Sequence, residues 1–121
     1  MKLYKCKDTV ILVNKEYDSY RLHGICICSK NIHSIGQIGT YNGGYYKPIK
    51  KLVLTVKNDD VEYYTSSKGN IIIKNNKYDV HSHIKRDGFS MLSKRQFETI
   101  FTHGSYRSSG KIINKMIMIS E

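Results

Sequence analysis

Apolar positions in the first third of the chain follow strand-like patterns. Thr9 to Val13 is a short apolar run, and Asn14-Lys15 after it is typical of a turn. From Tyr20 to Cys28 even and odd positions fall on opposite faces, which predicts a strand that becomes more buried toward its end. Glycine and asparagine then break the pattern, so residues 29–49 are predicted to form an extended loop.

Alternation returns in the middle of the chain and predicts two hairpins. Residues 52–56 and 61–65 flank the turn-forming residues 58–60, and residues 70–74 and 77–80 flank Asn75-Asn76. Because asparagine tolerates a positive φ, a two-residue turn is expected at the second of these sites. The polar and basic segment 81–88 follows the second hairpin.

The clearest local pattern is a helix near the C-terminus. Ser93 and Gln96 have the spacing of a capping box, and Leu92 and Phe97 have that of a hydrophobic staple. Gly104 stands where a left-handed residue commonly ends a helix. These signals are independent of one another, and together they predict where the helix begins and ends.

The elements together predict an α+β fold. We expect a mostly antiparallel sheet of about five to seven strands, or a small barrel, with one C-terminal helix at about 93–103. The length of 121 residues suits a single domain, 1–121. The isoleucine-rich segment 111–119 suits a strand buried on both faces, which indicates a closed barrel or an interface in a homo-oligomer.

Composition adds a strong positive charge. The chain has 20 Lys and Arg against 10 Asp and Glu, a formal net charge of +10. Such a surplus attracts polyanions, so the expected partner is nucleic acid or a phosphorylated nucleotide. Heavy use of Lys, Ile, Asn and Tyr with a single Pro is typical of A/T-rich genomes such as those of many phages. Part of the positive charge then reflects codon usage and not function.

Three features predict a cytoplasmic protein without membrane contact. No apolar run approaches the roughly 20 residues that span a bilayer. The N-terminus lacks the apolar stretch of a signal peptide. Cys6, Cys26 and Cys28 are an odd number and suit reduced thiols. For a phage-encoded protein, the compartment would be the host cytoplasm.

Basic and aromatic residues interleave in a way that suits nucleotide binding, because tyrosine rings stack on bases while lysines neutralise phosphates. The first group comprises Tyr41, Tyr45, Tyr46, Lys47, Lys50 and Lys51. A second group could extend the patch and comprises His83, Lys85, Arg86, Tyr106, Arg107 and Lys111. The alternative is that the tyrosines are half-buried strand residues and the lysines are merely solvated.

The glycine-containing segment 104–111 is similar to a P-loop only at first sight. Its spacing is one residue too long, and Ile112 stands where Ser or Thr is required. A nucleotide hydrolase is therefore not predicted. Backbone N–H groups and hydroxyls in 105–111 could still hold an anion, the alternative being an ordinary connecting loop.

A zinc site is conceivable but not favoured. Cys26 and Cys28 form one ligand pair on a shared strand face, and His81 and His83 form another. Structural zinc sites usually space each pair by two to four residues, whereas here a single residue intervenes. Buried thiols and surface imidazoles are the favoured interpretation, so no metal and no cofactor is expected.

Three segments together, Gly69 to Lys74, Tyr78 to Val80 and Leu92 to Phe101, resemble a module common in small phage proteins. In that module a hairpin strand precedes a segment of the type L-S-K-x-x-F-E-x-x-F or Y, and some members sequester immune cyclic nucleotides. The insertion 81–89 departs from it, and the matching residues cap and staple a helix, so no binding site is carried over. The resemblance implies a phage or mobile-element origin.

Three functions are compatible with these patterns. The leading hypothesis is a non-enzymatic binder of nucleic acid or a nucleotide, encoded by a phage or mobile element and acting on host machinery. The second is a protein-binding inhibitor of a host defence effector, for which the positive charge steers association. The third is a small metal-independent ribonuclease that uses His81, His83 and His103 with Lys85 and Arg86.

Overall fold

The chain forms two five-stranded antiparallel sheets, one two-stranded sheet and one α-helix in a computed structural model that describes residues 1–50, 52–54, 60–66, 68–104, 106–108 and 115–117. The predicted α+β class, mostly β with one C-terminal helix, is confirmed. The described residues contain twelve short strands instead of the predicted five to seven. The additional strands come largely from segments that the sequence pattern assigned to loops.

The N-terminal sheet has the strand order β4-β3-β2-β1-β5. Its strands are β1 (Lys2–Cys6), β2 (Thr9–Asp18), β3 (Arg21–Cys28), β4 (Ile38–Asn42) and β5 (Lys47–Ile49). The predicted turn at Asn14-Lys15 is wrong, because β2 continues through it. The predicted loop at 29–49 is also wrong, since it contains β4, β5 and a 3-10 turn, Ile32–Ser34. Strand β4 pairs with β3 and β5 pairs with β1, so the backbone groups of both strands are hydrogen-bonded. The glycine-rich sequence of the segment does not predict this pairing.

The C-terminal sheet has the order β10-β9-β8-β7-β11. Its strands are β7 (Val61–Thr65), β8 (Ile71–Asn75), β9 (Val80–Lys85), β10 (Gly88–Leu92) and β11 (Arg107–Ser108). Strand β6 (Leu52–Leu54) precedes them in the chain and is not part of this sheet. The predicted hairpin across 58–60 is wrong, because β6 pairs with β12 (Lys115–Ile117) and β7 pairs with β8. The second hairpin is confirmed as β8–β9, but its turn is 76–79, with Asp79 at φ 53°. Of the predicted strand 111–119, only 115–117 lies within the described residues.

The connection from β4 to β5 requires a strongly curled N-terminal sheet. These two strands are its opposite edges, which in a flat sheet would stand roughly 19 Å apart across four strand spacings. The five residues of advance from Asn42 to Lys47 span at most about 18 Å when fully extended, and residues 43–45 form a turn. The two edges must therefore curve toward each other, as in a small barrel.

The two sheets pack face to face around a central core. The N-terminal sheet contributes Leu3, Val10, Leu12, Ile25 and Ile27, and the C-terminal sheet contributes Val61, Tyr63, Ile73 and Ile84. The alternate β2 residues, Ile11 and Val13, point to the other face and form the N-terminal cluster with Leu22 and Cys26. Strand β2 is apolar at four consecutive positions because both of its faces are covered there.

Helix α1 (Lys94–His103) covers the outer face of the C-terminal sheet. The predicted capping box is confirmed: the Gln96 backbone N–H donates to Ser93 Oγ at 3.1 Å, and the Ser93 N–H donates to Gln96 Oε1 at 2.8 Å. Phe97 packs with Tyr64, Ile72 and Tyr106 in what we call the helix cluster. The C-terminal sheet, with β7, β8 and β9, therefore lies between the central core and the helix.

Candidate cleft between strand β9 and helix α1

Strand β9 carries two histidines toward the helix. His81 stacks on Phe97 with 4.8 Å between ring centroids, while Ile84 on the opposite face belongs to the central core. His81 and His83 are both buried. The prediction of two surface imidazoles is therefore wrong. His81 and His83 share one face of β9, and helix α1 and Tyr106 cover that face.

His83 and Tyr106 form the centre of the site. Nε2 of His83 and the Tyr106 hydroxyl are hydrogen-bonded, and the two rings meet edge to face at 5.8 Å. Burial raises the pKa of Tyr106, although hydrogen bonds from Asn70 and Ser66 lower it in part. The phenol therefore keeps its proton at neutral pH. The phenol can donate this proton to Nε2 of His83 when that nitrogen is unprotonated.

Burial also lowers the pKa of His83, and the nearby positive charge of Lys85 lowers it further. Burial is likewise the main cause of the lowered pKa of His81, with Lys74 and Lys94 contributing. Both imidazoles are therefore neutral at neutral pH, which fits His83 as the acceptor of the Tyr106 proton.

A cleft of about 430 Å³ opens beside this pair. Its walls come from β9, from the end of α1 and from the segment that leads into β8; they consist of Ser66, Lys68, Asn70, His83, Lys85, Ile100, His103, Gly104 and Tyr106. Among the residues that the structure describes, this lining has two lysines and two histidines and no carboxylate. The volume lies within the range of small-ligand sites. The cleft can therefore take a small anionic group together with an attached organic part.

Gly104 shapes the cleft through close contact. A Cβ at this position would lie 2.6 Å from the Ile100 carbonyl oxygen and 2.7 Å from Cε2 of Tyr106. The predicted left-handed conformation is wrong, because Gly104 has φ −92°. Glycine is needed here so that the Tyr106 ring can pack against the end of the helix.

The second predicted binding group is partly brought together at this cleft. His83, Lys85 and Tyr106 all line it. Arg86 follows Lys85 on the exposed turn to β10, and Arg107 begins β11 directly after Tyr106. Lys111 lies outside the described residues.

The first predicted group lies elsewhere. Tyr41 and Tyr46 pack on the N-terminal cluster with their rings 5.4 Å apart, and burial raises the pKa of both. Tyr45 is 71% exposed. Lys47 and Lys50 are exposed, and Lys51 lies outside the described residues. The N-terminal cluster and the helix cluster are on opposite sides of the central core, so the two predicted groups do not form one continuous patch.

The four residues considered for zinc do not converge. Cys26 belongs to the N-terminal cluster, whereas Cys28 packs against the central core. A register shift between β2 and β3 explains why they do not share the predicted face. His81 and His83 face the helix on the other sheet. Within the described ranges of the chain, no cluster of three or more His, Cys, Asp or Glu side chains could hold a metal ion.

Sequence patterns did not point to Ser66, Lys68 and Asn70 as residues of the site. The register of the β8–β9 hairpin, which pairs Ile71 with Ile84, could have located them. This register places the residues before β8 next to Lys85. A correct turn for the hairpin would have located them.

The two neutral histidines predict a stability that falls on mild acidification. Because their folded-state pKa values lie below the ordinary value of about 6.5, the unfolded chain takes up protons first as the pH drops. The melting temperature should therefore fall progressively below about pH 6.5. A chain with His81→Gln and His83→Gln should lose this dependence. Equal melting temperatures of the unmodified chain at about pH 7.5 and 5.5 would contradict the assignment.

Titration of carboxylates does not interfere with this measurement of melting temperature against pH. Asp8 and Asp18 have lowered pKa values, chiefly because the backbone N–H groups of Lys30 and Tyr20 donate to them. Their stabilising effect is present above about pH 4 and is lost only below it. The two pH ranges are therefore separable in one titration.

Comparison with protein-family models, with curated proteins and with solved structures finds no match to this chain. In the described part of the chain no helix has the length and apolar character needed to cross a membrane.

Proposed function

We propose that the protein binds a phosphorylated nucleotide, or a phosphate-bearing segment of nucleic acid, in the cleft between β9 and α1. The observation that supports this most directly is the described lining, which has two lysines, two histidines and no carboxylate around about 430 Å³. The phage or mobile-element setting, with action on host machinery, belongs to the same proposal. That part is supported by the resemblance of the hairpin and helix segments to a phage module.

The lining suggests how the parts of a nucleotide would be held. Lys68 and Lys85 are exposed at the cleft and can meet phosphate oxygens. Asn70 offers an amide for the sugar or base, and Ile100 offers an apolar surface for a base. Because the lysines remain solvated, their contribution is a charge effect that salt will weaken.

Removing the two lysines should weaken binding in a salt-dependent way. Fluorescence anisotropy with a labelled mononucleotide and with short single-stranded RNA and DNA would be measured at about 50 mM and 200 mM salt. For the oligonucleotides, Lys68→Ala with Lys85→Ala should lower the slope of log affinity against log salt by about 1 for each phosphate that is no longer neutralised. Lys77→Ala is the matched control, since Lys77 is exposed at the opposite end of the β8–β9 hairpin.

Two results would contradict this location. One is equal binding by the double variant and the Lys77→Ala control. The other is binding that survives Lys68→Ala with Lys85→Ala and is abolished in Tyr45→Ala with Lys47→Ala. The second result would move the proposed site to the N-terminal sheet, where Tyr45 and Lys47 are exposed.

A further inference from the structure

The cleft contains two imidazoles in different surroundings. His83 lies on β9 with 6% of its surface exposed and is bonded to Tyr106. His103 is exposed in the last turn of α1 and lines the same cleft. A buried and an exposed imidazole facing one ligand space can take opposite roles in proton transfer.

We propose that this cleft cleaves RNA, with the Tyr106–His83 pair accepting the proton of a ribose 2′-hydroxyl and His103 donating a proton to the leaving 5′-oxygen. The inference rests on the proposed function, since the same cleft must first hold the phosphate.

The step is an intramolecular phosphoryl transfer. The 2′-oxygen attacks the adjacent phosphorus, so a P–O2′ bond forms while the P–O5′ bond breaks. The 2′-hydroxyl proton passes to the Tyr106 oxygen as the phenol proton moves to His83 Nε2. His103 gives a ring proton to the departing O5′. The products are a 2′,3′-cyclic phosphate and a 5′-hydroxyl, and proton exchange with water restores both histidines.

The contacts already present match this sequence of transfers. The Tyr106 hydroxyl is hydrogen-bonded to His83 Nε2, which provides the path for the second proton. Burial and Lys85 keep His83 neutral and able to accept it. Lys68 and Lys85 stand at the cleft, where they can stabilise the extra negative charge that develops on phosphorus. Tyr106 and His103 would be catalytic residues, and His83 would act through Tyr106 as a positioning residue.

The test uses the full chain and two oligonucleotides of the same sequence. One is all DNA, and the other contains a single ribonucleotide. We expect both to bind and only the second to be cut, at the ribonucleotide, leaving a cyclic phosphate that mass spectrometry identifies. Tyr106→Phe and His103→Gln should each slow cleavage by about 100-fold or more. His33→Gln is the matched control, because His33 is an exposed histidine that contacts Tyr78 away from the cleft.

His83 needs a readout that a purely structural role would not change. In the unmodified chain, kcat/KM should rise with pH through the lowered pKa of His83, below about 6.5. In His83→Gln that rise should disappear along with most of the rate. Thermal melts of each variant separate a loss of chemistry from a loss of fold, and the exposed position of His103 makes His103→Gln usable even if a Tyr106 variant unfolds.

The outcomes distinguish the two proposals. Both oligonucleotides bound and left intact over the whole pH range would overturn the cleavage inference and leave the binding function standing. Absence of binding and of cleavage would overturn both. Cleavage at an unchanged rate in folded His103→Gln, or cleavage of the all-DNA strand, would also overturn the inference.

Discussion

Replacing Asn75 with alanine is expected to lower the free energy of unfolding by about 2–4 kcal/mol. Asn75 is 0% exposed, and its Nδ2 donates to the Ile32 carbonyl at 2.8 Å and to the Ile35 carbonyl at 3.1 Å. These bonds tie the 3-10 turn of the N-terminal half to strand β8. Without them, the Ile35 carbonyl loses its side-chain donor and the Ile32 carbonyl keeps only the Ile35 N–H, in a place that water reaches poorly.

Urea denaturation of Asn75→Ala against the unmodified chain would measure this effect. Asn76→Ala is the matched control, since its side chain is exposed and donates to Glu62 at the surface, at 3.1 Å. That control should change the free energy of unfolding by no more than about 0.5 kcal/mol. Similar values for the two variants would mean that the turn is held by its apolar contacts instead.

Phe97→Ala should destabilise the fold by about 3–5 kcal/mol. Phe97 is 7% exposed at the centre of the helix cluster. Its ring stacks on His81 at 4.8 Å and on Phe101 at 5.6 Å, and Lys74 Nζ lies 5.3 Å from its centroid. Truncation would leave a cavity between helix and sheet that neighbouring side chains fill only in part.

Chemical denaturation with a graded set of variants would test the size of this effect. Phe97→Leu keeps most of the volume and should cost less than about 1.5 kcal/mol, whereas Met91→Ala, at an exposed position of β10, should cost less than about 0.5 kcal/mol. A loss below about 1 kcal/mol for Phe97→Ala would show that the helix is not anchored through this ring.

Helix α1 was predictable because its signals are local. Ser93 and Gln96 satisfy backbone groups within one turn, and Leu92 packs against the helix cluster to which Phe97 belongs. Strand pairing is different, because the choice of partner depends on distant segments. The failed hairpin before β7 illustrates this: β6 finds its partner in β12, more than fifty positions away in sequence.

Of the residues that line the cleft, the predicted binding groups include His83, Lys85 and Tyr106 and lack Ser66, Lys68 and Asn70. The basic segment 83–86 and the Tyr106-Arg107 pair were predicted only as an extension of the first tyrosine group. The first tyrosine group was assigned to the same patch only because both groups contain basic and aromatic residues. Which sheet face carries a residue depends on strand register and on helix docking, and these arise from packing over long distances. Burial of His81 and His83 was missed for the same reason.

The two sheets are also separate along the chain, and this bears on the order in which they can form. All strands of the N-terminal sheet lie within residues 2–49, and those of the C-terminal sheet lie within 61–108. During synthesis the first sheet can therefore complete its backbone pairing while the second is still in the ribosome. Until the second emerges, Val10, Leu12, Ile25 and Ile27 have no cover. The nascent chain thus passes through a stage with an exposed apolar face, when it is open to chaperones and to self-association.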